Sequence, residues 1–200
     1  MKVVILKYNA GNTCSVAFAL RRIGIRPRIS RKKSVIERAD RLIIPGVGSA
    51  GSAMDFLSRH RLCALLKDIQ IPVLGICLGL HLLCAESREE RTRCLGVFPD
   101  RVVRFQDSAK VPHMGWNRVY GMQGPLFADL PAGAFFYFVH SYFVPPNSRT
   151  VALCDYPGPF SAAVAWKNFT GLQFHPEKSG PAGRIVLKNF CRRWKNDRKP

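Results

Sequence analysis

Leu74-Gly75-Ile76-Cys77-Leu78-Gly79 is the stretch that decides how this chain folds. An apolar strand over 71–76 runs into Gly-x-Cys-x-Gly, and an apolar helical pattern begins at Leu78. This is the cysteine form of a nucleophile elbow, in which a reactive side chain sits on a strained strand-to-helix turn. Side chains at Gly75 or Gly79 would collide with neighbouring backbone and block that turn. The helix that follows aims its amide dipoles at Cys77 and favours thiolate over thiol. Such a nucleophile calls for a histidine base and an acidic partner elsewhere in the chain.

Working outward, the first half alternates strand and helix patterns. Residues 3–6 read as a strand, and 15–23 as a helix with Val16, Leu20 and Ile23 on one side. A strand over 40–44 ends at Pro45-Gly46-Val47-Gly48, and helical patterns near 50–57 and 61–67 precede the strand before Cys77. Apolar strands separated by helices predict a parallel sheet covered on both faces. From Val97 onward the pattern turns to short β-rich runs at 102–103, 134–139, 150–153, 162–166 and 171–174, before a closing helix over about 180–194. There is no repeat, linker or low-complexity segment. One α/β domain across 1–200, mainly parallel with an antiparallel extension, is the simplest architecture.

A chain of 200 residues, 47% of them hydrophobic, is long enough to bury a sizeable core. No apolar run reaches the roughly 18 residues of a membrane helix. Met1 to Leu6 reads as a buried strand without a signal-peptide cleavage site, so a cytoplasmic location is expected. Seven cysteines in irregular spacing, with no Cys-x-x-Cys pair, indicate neither a zinc site nor a disulfide framework. Most are expected to be small core residues. The 31 basic and 13 acidic residues leave a net charge of +18. Much of it lies in Arg21, Arg22, Arg26, Arg28, Arg31, Lys32 and Lys33, and in the tail with Lys188, Arg192, Arg193, Lys195, Arg198 and Lys199. Such an excess attracts polyanions, but no RNA-binding motif, zinc finger or helix-turn-helix accompanies it, so nucleic acid is not an expected partner. A solvated basic surface, or one that faces an acidic protein, is the plainer reading.

Gly171-Leu172-Gln173-Phe174-His175-Pro176-Glu177-Lys178-Ser179 is the second chemistry-bearing stretch. A strand delivers His175 at its carboxyl end, Pro176 stops it, and a turn brings Glu177 back to the imidazole. With Cys77 about a hundred residues upstream, these supply a nucleophile, a base and an orienting acid for attack on an acyl carbon. Glycines in Pro45-Gly46-Val47-Gly48 let backbone N–H groups approach a ligand, as an oxyanion hole requires, with the Leu78 amide as second donor. A tight strand-to-helix turn is the alternative reading of that tetrapeptide.

Together these stretches resemble the class I glutamine amidotransferases over nearly the whole chain, with a flavodoxin-like α/β fold. More narrowly they resemble the glutaminase subunits of imidazole glycerol phosphate synthase. Tyr8-Asn9-Ala10-Gly11-Asn12, Pro112-His113-Met114-Gly115-Trp116-Asn117 and Phe136-Tyr137-Phe138-Val139-His140-Ser141-Tyr142 carry that narrower likeness. The resemblance implies hydrolysis of glutamine through a Cys77 thioester, with no metal and no organic cofactor. It implies ammonia passage to a (β/α)8-barrel cyclase subunit in a heterodimer, and a glutaminase that rises when the barrel binds its ligand. A backbone amide near Val47 would then turn inward to complete the oxyanion hole. It further implies Gly46, Gly48, Glu89, His140, Ser141 and Tyr142 as glutamine contacts, and Asn12, Trp116, Tyr137 and Lys178 as the partner face. Asn12 as a helix cap, Trp116 and Tyr137 as ordinary aromatics, and Lys178 as a solvated charge are the plain alternatives. Service to another synthase, or a catalytically weakened binding role, are the alternative functions.

One position departs from the resemblance. After the elbow, such chains usually read Cys-Leu-Gly-Met-Gln, but here Leu80 and His81 follow Gly79. The usual glutamine side chain helps to bind substrate, so His81 is expected to contact glutamine and to weaken or alter its binding. It lies four residues from Cys77 on the same side of the helix, within reach of the thiolate.

Overall fold

In the computed structural model, which describes residues 1–106 and 110–193, the elbow lies at the centre of a seven-stranded sheet. Five strands run parallel: β1 (Val3–Leu6), β2 (Arg28–Ser30), β3 (Arg41–Ile44), β4 (Val73–Ile76) and β13 (Phe169–Leu172). Antiparallel β11 (Thr150–Asp155) and β12 (Pro159–Trp166) complete the order β11-β12-β13-β4-β3-β1-β2. The remaining short strands are β5 (Glu86–Ser87), β6 (Thr92–Arg93), β7 (Arg101–Arg104) and β10 (Tyr142–Phe143), which form a small sheet in the order β10-β7-β5-β6. Strands β8 (His113–Arg118) and β9 (Phe135–His140) make a separate antiparallel pair.

Strand periodicity explains the layers. In β1, Val3 and Ile5 join one core with Val16 and Leu20 of α1 (Thr13–Arg22) and with Val186, Leu187 and Phe190 of α6 (Gly180–Arg192). Val4 and Leu6 point the other way, towards Leu57 of α3 (Ala50–Arg59), Leu66 of α4 (Cys63–Asp68), Leu80 of α5 (Leu78–Leu83) and Ile36 of α2 (Lys33–Ile36). Both faces of the parallel strands are therefore buried, and their sequences read as continuous apolar runs.

Several boundaries move from the sequence reading. Asn12 caps α1 by accepting from Ser15 N (3.0 Å), so the helix begins at Thr13 rather than Ser15. The basic run around Arg28 contains an edge strand and a short helix that its charge concealed. The last sheet strand ends at Leu172, which leaves Gln173 and Phe174 beyond it. Helix α6 reaches Arg192, and Trp194, Lys195, Arg198 and Lys199 lie outside the described residues. Five of the seven cysteines are buried.

Candidate active site

The parallel strands end on one side of the sheet, where open α/β folds place their ligands. Cys77 follows β4 there with φ +49° and ψ −106°, a conformation few non-glycine residues adopt. Its amide is held by Leu172 O of the neighbouring strand at 2.6 Å. The glycines do what the sequence required of them. A Cβ on Gly75 would lie 2.6 Å from the Gly79 carbonyl, and one on Gly79 would lie 2.1 Å from Ile44 O. A Cβ on Gly46 would meet the Leu78 nitrogen at 2.4 Å, so the Pro45–Gly48 loop rests directly on the start of α5.

His175 and Glu177 come off the end of β13. His175 Nδ1–H donates to Glu177 Oε1 at 2.9 Å, and both side chains are almost fully buried. His175 N donates to Tyr137 O (2.9 Å), and Ser179 Oγ donates to His175 O (2.6 Å), so its backbone is fixed from two sides. The other ring nitrogen, Nε2, has no hydrogen-bond partner among the described residues. Burial opposes a charge on this imidazole, but the Cys77 sulfur and the Glu177 carboxylate outweigh it and lift its pKa to about 10. These surroundings favour the charged imidazolium of His175.

A cavity of about 240 Å³ opens over Cys77. Its wall includes Gly46, Val47, Gly48, Leu78 and His175, and also His81, Glu89, His140, Ser141 and Tyr142. Every residue expected to hold glutamine or to build the oxyanion hole therefore meets at one place. Glu177 lies behind His175. Sequence reading missed Pro112 and Val139, which also line this wall. Val47 O accepts from Gly11 N at 2.7 Å, and Tyr8 OH donates to Pro45 O, so the 8–11 segment braces the loop. Leu78 N, in the first turn of α5, has no intrahelical acceptor.

The polar wall is internally wired. Glu89 Oε2 accepts from Ala50 N (2.9 Å) at the start of α3, and burial raises its pKa. His140 Nδ1–H donates to Tyr142 O (2.8 Å), which leaves Nε2 to accept from His113 Nδ1–H (3.0 Å). Asn117 Nδ2 donates in turn to His113 Nε2 (3.2 Å), so both tautomers are determined. Burial keeps these imidazoles neutral, with His113 lowered to about 4 and His140 well below its usual value. His81 is lowered to about 4 for the same reason. It borders the cavity, but its Nε2 lies 3.0 Å from Gln173 Oε1, a contact between residues 92 apart that nothing in the sequence signals.

Of the expected partner residues, Trp116 and Tyr137 lie on the outer face of β8 and β9. Phe136, Phe138 and His140 alternate inward, while Phe135, Tyr137 and Val139 alternate outward opposite Arg118, Trp116 and Met114. Met114, Trp116 and Phe135 are 62%, 55% and 56% exposed, an unusual apolar concentration for a free surface. Trp116 packs edge-on to Tyr137 at 6.3 Å, and Lys178 Nζ lies 5.6 Å above the Tyr137 ring. Asn12 is engaged as the α1 cap.

The glutamine amidotransferase class-I family profile matches residues 4–194. The chain is 47% identical over 193 residues to the imidazole glycerol phosphate synthase subunit HisH of Bacteroides fragilis, covering 95% of this chain and 98% of that one. It is 49% identical to HisH of Salmonella typhimurium and 48% identical to HisH of Escherichia coli, with the same coverage. Among solved structures, a crystal structure described as a glutamine amidotransferase superposes with a TM-score of 0.76 at 19% identity, covering 96% of this chain and 100% of that one. The structure of PurLQS from Thermotoga maritima gives 0.70 at 16% identity, with 97% and 99% covered. These two share the fold.

Proposed function

We propose, for a chain that belongs to the class-I glutamine amidotransferase family and within it to the HisH subunits of imidazole glycerol phosphate synthase, that it hydrolyses glutamine and hands the ammonia to a cyclase subunit. The whole of 1–200 works as one amidotransferase domain, in the cytoplasm. The observation that carries the reading is the meeting of Cys77 and His175 at one cavity, with Glu177 hydrogen-bonded to the imidazole behind it.

In this reading the Cys77 thiolate attacks the side-chain carbonyl carbon of glutamine, and the developing oxyanion is held by the Val47 and Leu78 amides. His175 delivers its Nε2 proton to the departing nitrogen, the C–N bond breaks, and ammonia leaves a glutamyl thioester. Water then attacks the thioester with His175 as base, releasing glutamate and restoring the thiolate–imidazolium pair. Glu177 holds the ring through Nδ1–H throughout. Gly46, Gly48, Glu89, His140, Ser141 and Tyr142 surround the substrate. The Met114–Trp116–Phe135–Tyr137 face, with Lys178 beside it, seats a (β/α)8-barrel cyclase in a heterodimer, and Asn12 is the further residue assigned to that partner. The 47–49% identity to HisH chains does not favour service to another synthase.

Glutamate release by the purified chain, with and without the barrel cyclase and its phosphoribosyl ligand, tests this. Weak activity alone, a rise with partner and ligand, and complete loss in Cys77→Ala are expected. No release in the full complex, or equal release by Cys77→Ala, overturns it.

A further inference from the structure

Gln173 takes no part in the chemistry just described, yet it sits against the nucleophile. It is fully buried one residue beyond β13, with its main-chain N–H on Ala162 O at 2.9 Å. Its side-chain amide has two neighbours: Oε1 faces His81 Nε2 at 3.0 Å, and Nε2 faces Cys77 Sγ at 3.8 Å. We propose that Gln173 is a further catalytic residue whose amide N–H donates to the Cys77 thiolate, and that His81 is a positioning residue that holds this amide in the donating orientation. The inference rests on Cys77 being the nucleophile.

An amide end is nearly symmetric in shape, so chemistry at its two ends decides which way it points. A thiolate only accepts, and therefore demands the NH2 end. Oε1 then faces His81 and demands a donor. A neutral imidazole has one N–H, and this geometry assigns it to Nε2. In the reverse orientation Oε1 would face the sulfur as a second acceptor, which is tolerable only for a protonated thiol. The direction of the Gln173 amide, the tautomer of His81 and the ionisation of Cys77 are thus linked.

Two features keep the link in force. His81 is packed in α5 with its main-chain N–H on Cys77 O (3.2 Å), and burial leaves its ring with a single proton at neutral pH. Gln173 has no exposed surface, so water does not compete for its N–H. Among the described residues, the titratable groups around the thiol are Tyr8, His81, Glu89, His140, Tyr142, His175 and Glu177. His175 supplies a positive charge that titrates with the thiol, whereas Gln173 supplies a dipole that does not titrate.

The pH dependence of Cys77 alkylation by iodoacetamide tests the arrangement in the full chain without glutamine or partner, with peptide masses separating Cys77 from the other cysteines. Gln173→Met is expected to raise the midpoint by about one pH unit, roughly a tenfold loss of thiolate below it. His81→Leu is expected to give about half that shift, and His81→Gln, whose amide can donate to Oε1, to restore the wild-type midpoint. An unshifted midpoint in a folded Gln173→Met protein overturns the proposal. Should that variant not fold, a His81→Gln midpoint no nearer wild type than that of His81→Leu does the same. A shifted midpoint in a chain that hydrolyses no glutamine retains the Gln173 contact and dismisses the glutaminase reading. Normal hydrolysis with no shift dismisses only the contact.

Discussion

Replacing Gly79 by alanine is expected to destabilise the protein, although alanine is the better helix former. Gly79 is the second residue of α5, and a Cβ there would lie 2.1 Å from Ile44 O, 3.1 Å from Ile44 C and 3.3 Å from Ile44 Cγ2. A carbon–oxygen contact settles near about 3.3 Å, so helix and strand must separate by roughly 1 Å. Overpacking of this kind costs about 1–3 kcal/mol. The gain in helix propensity is at most about 1 kcal/mol, and less in a first turn. The net loss of about 1–2 kcal/mol corresponds to a fall in Tm of about 2–8 °C for a chain of this size. Ile44 leads directly into Pro45-Gly46-Val47, so the same displacement parts the Val47 and Leu78 amides. A misplacement of about 1 Å lowers kcat/KM on the order of a hundredfold. Thermal unfolding and glutamate release measure both effects. Gly158→Ala, where a Cβ would meet nothing within 4 Å, is the control that should change neither. A Gly79→Ala protein as stable as wild type, or one with full kcat/KM, refutes the reasoning.

Three further outcomes are expected. Cys77→Gly and Cys77→Ala both abolish hydrolysis, but the glycine variant is the more stable by about 1 kcal/mol because φ +49° no longer strains a Cβ; equal Tm values would show the turn to be unstrained. Stability falls as pH drops from about 6.5 to 4, because His81 and His113 bind protons in the unfolded chain while their folded pKa is held at about 4. Each contributes about 1.4 kcal/mol per pH unit within that window, so His81→Gln flattens the slope of the urea midpoint against pH, and an unchanged slope contradicts this. Trp116→Ala weakens assembly with the barrel cyclase by a factor of about ten or more, whereas Arg26→Glu with Arg28→Glu leaves it unchanged; titration calorimetry of the two proteins distinguishes the cases, and the opposite ranking would move the interface to the basic end.

The parts legible in sequence were those whose physics is local. Two glycines around Cys77 and a proline after His175 signal turns that only certain residues allow, and these motifs located the elbow, the strand end that carries His175 and the loop at Gly46. Apolar runs at 3–6, 40–44 and 71–76 marked the buried strands to within two residues. Arg28–Ser30 escaped because an edge strand pairs on one side only, and its exposed residues carry charge instead of an apolar alternation. The pairing of His113 with His140 and of His81 with Gln173 depends on strand register and on the crossing of α5 with β13, neither of which any short window contains. Hence sequence places His81 at the substrate cavity, which it borders, but does not reveal that its Nε2 is bonded to Gln173. Val139 and Pro112 also line the cavity, but ordinary apolar residues give no chemical signal in sequence.

The basic run has its own consequence at the far end of the sheet. Strand β2 is one of the two edge strands of the seven-stranded sheet, and its Ile29 is 37% exposed. Parallel pairing to β1 sets Arg28 beside Val4 near the start of the strands, with Arg26 close by and the catalytic cavity at their other end. Exposed edges of this kind are templates for strand addition and aggregation. Two copies that approach edge to edge here bring arginine against arginine before any backbone hydrogen bond can form. The arginines at this edge thus oppose growth of the sheet through a second copy, and concentrated salt, which screens that repulsion, is the condition under which such growth would begin.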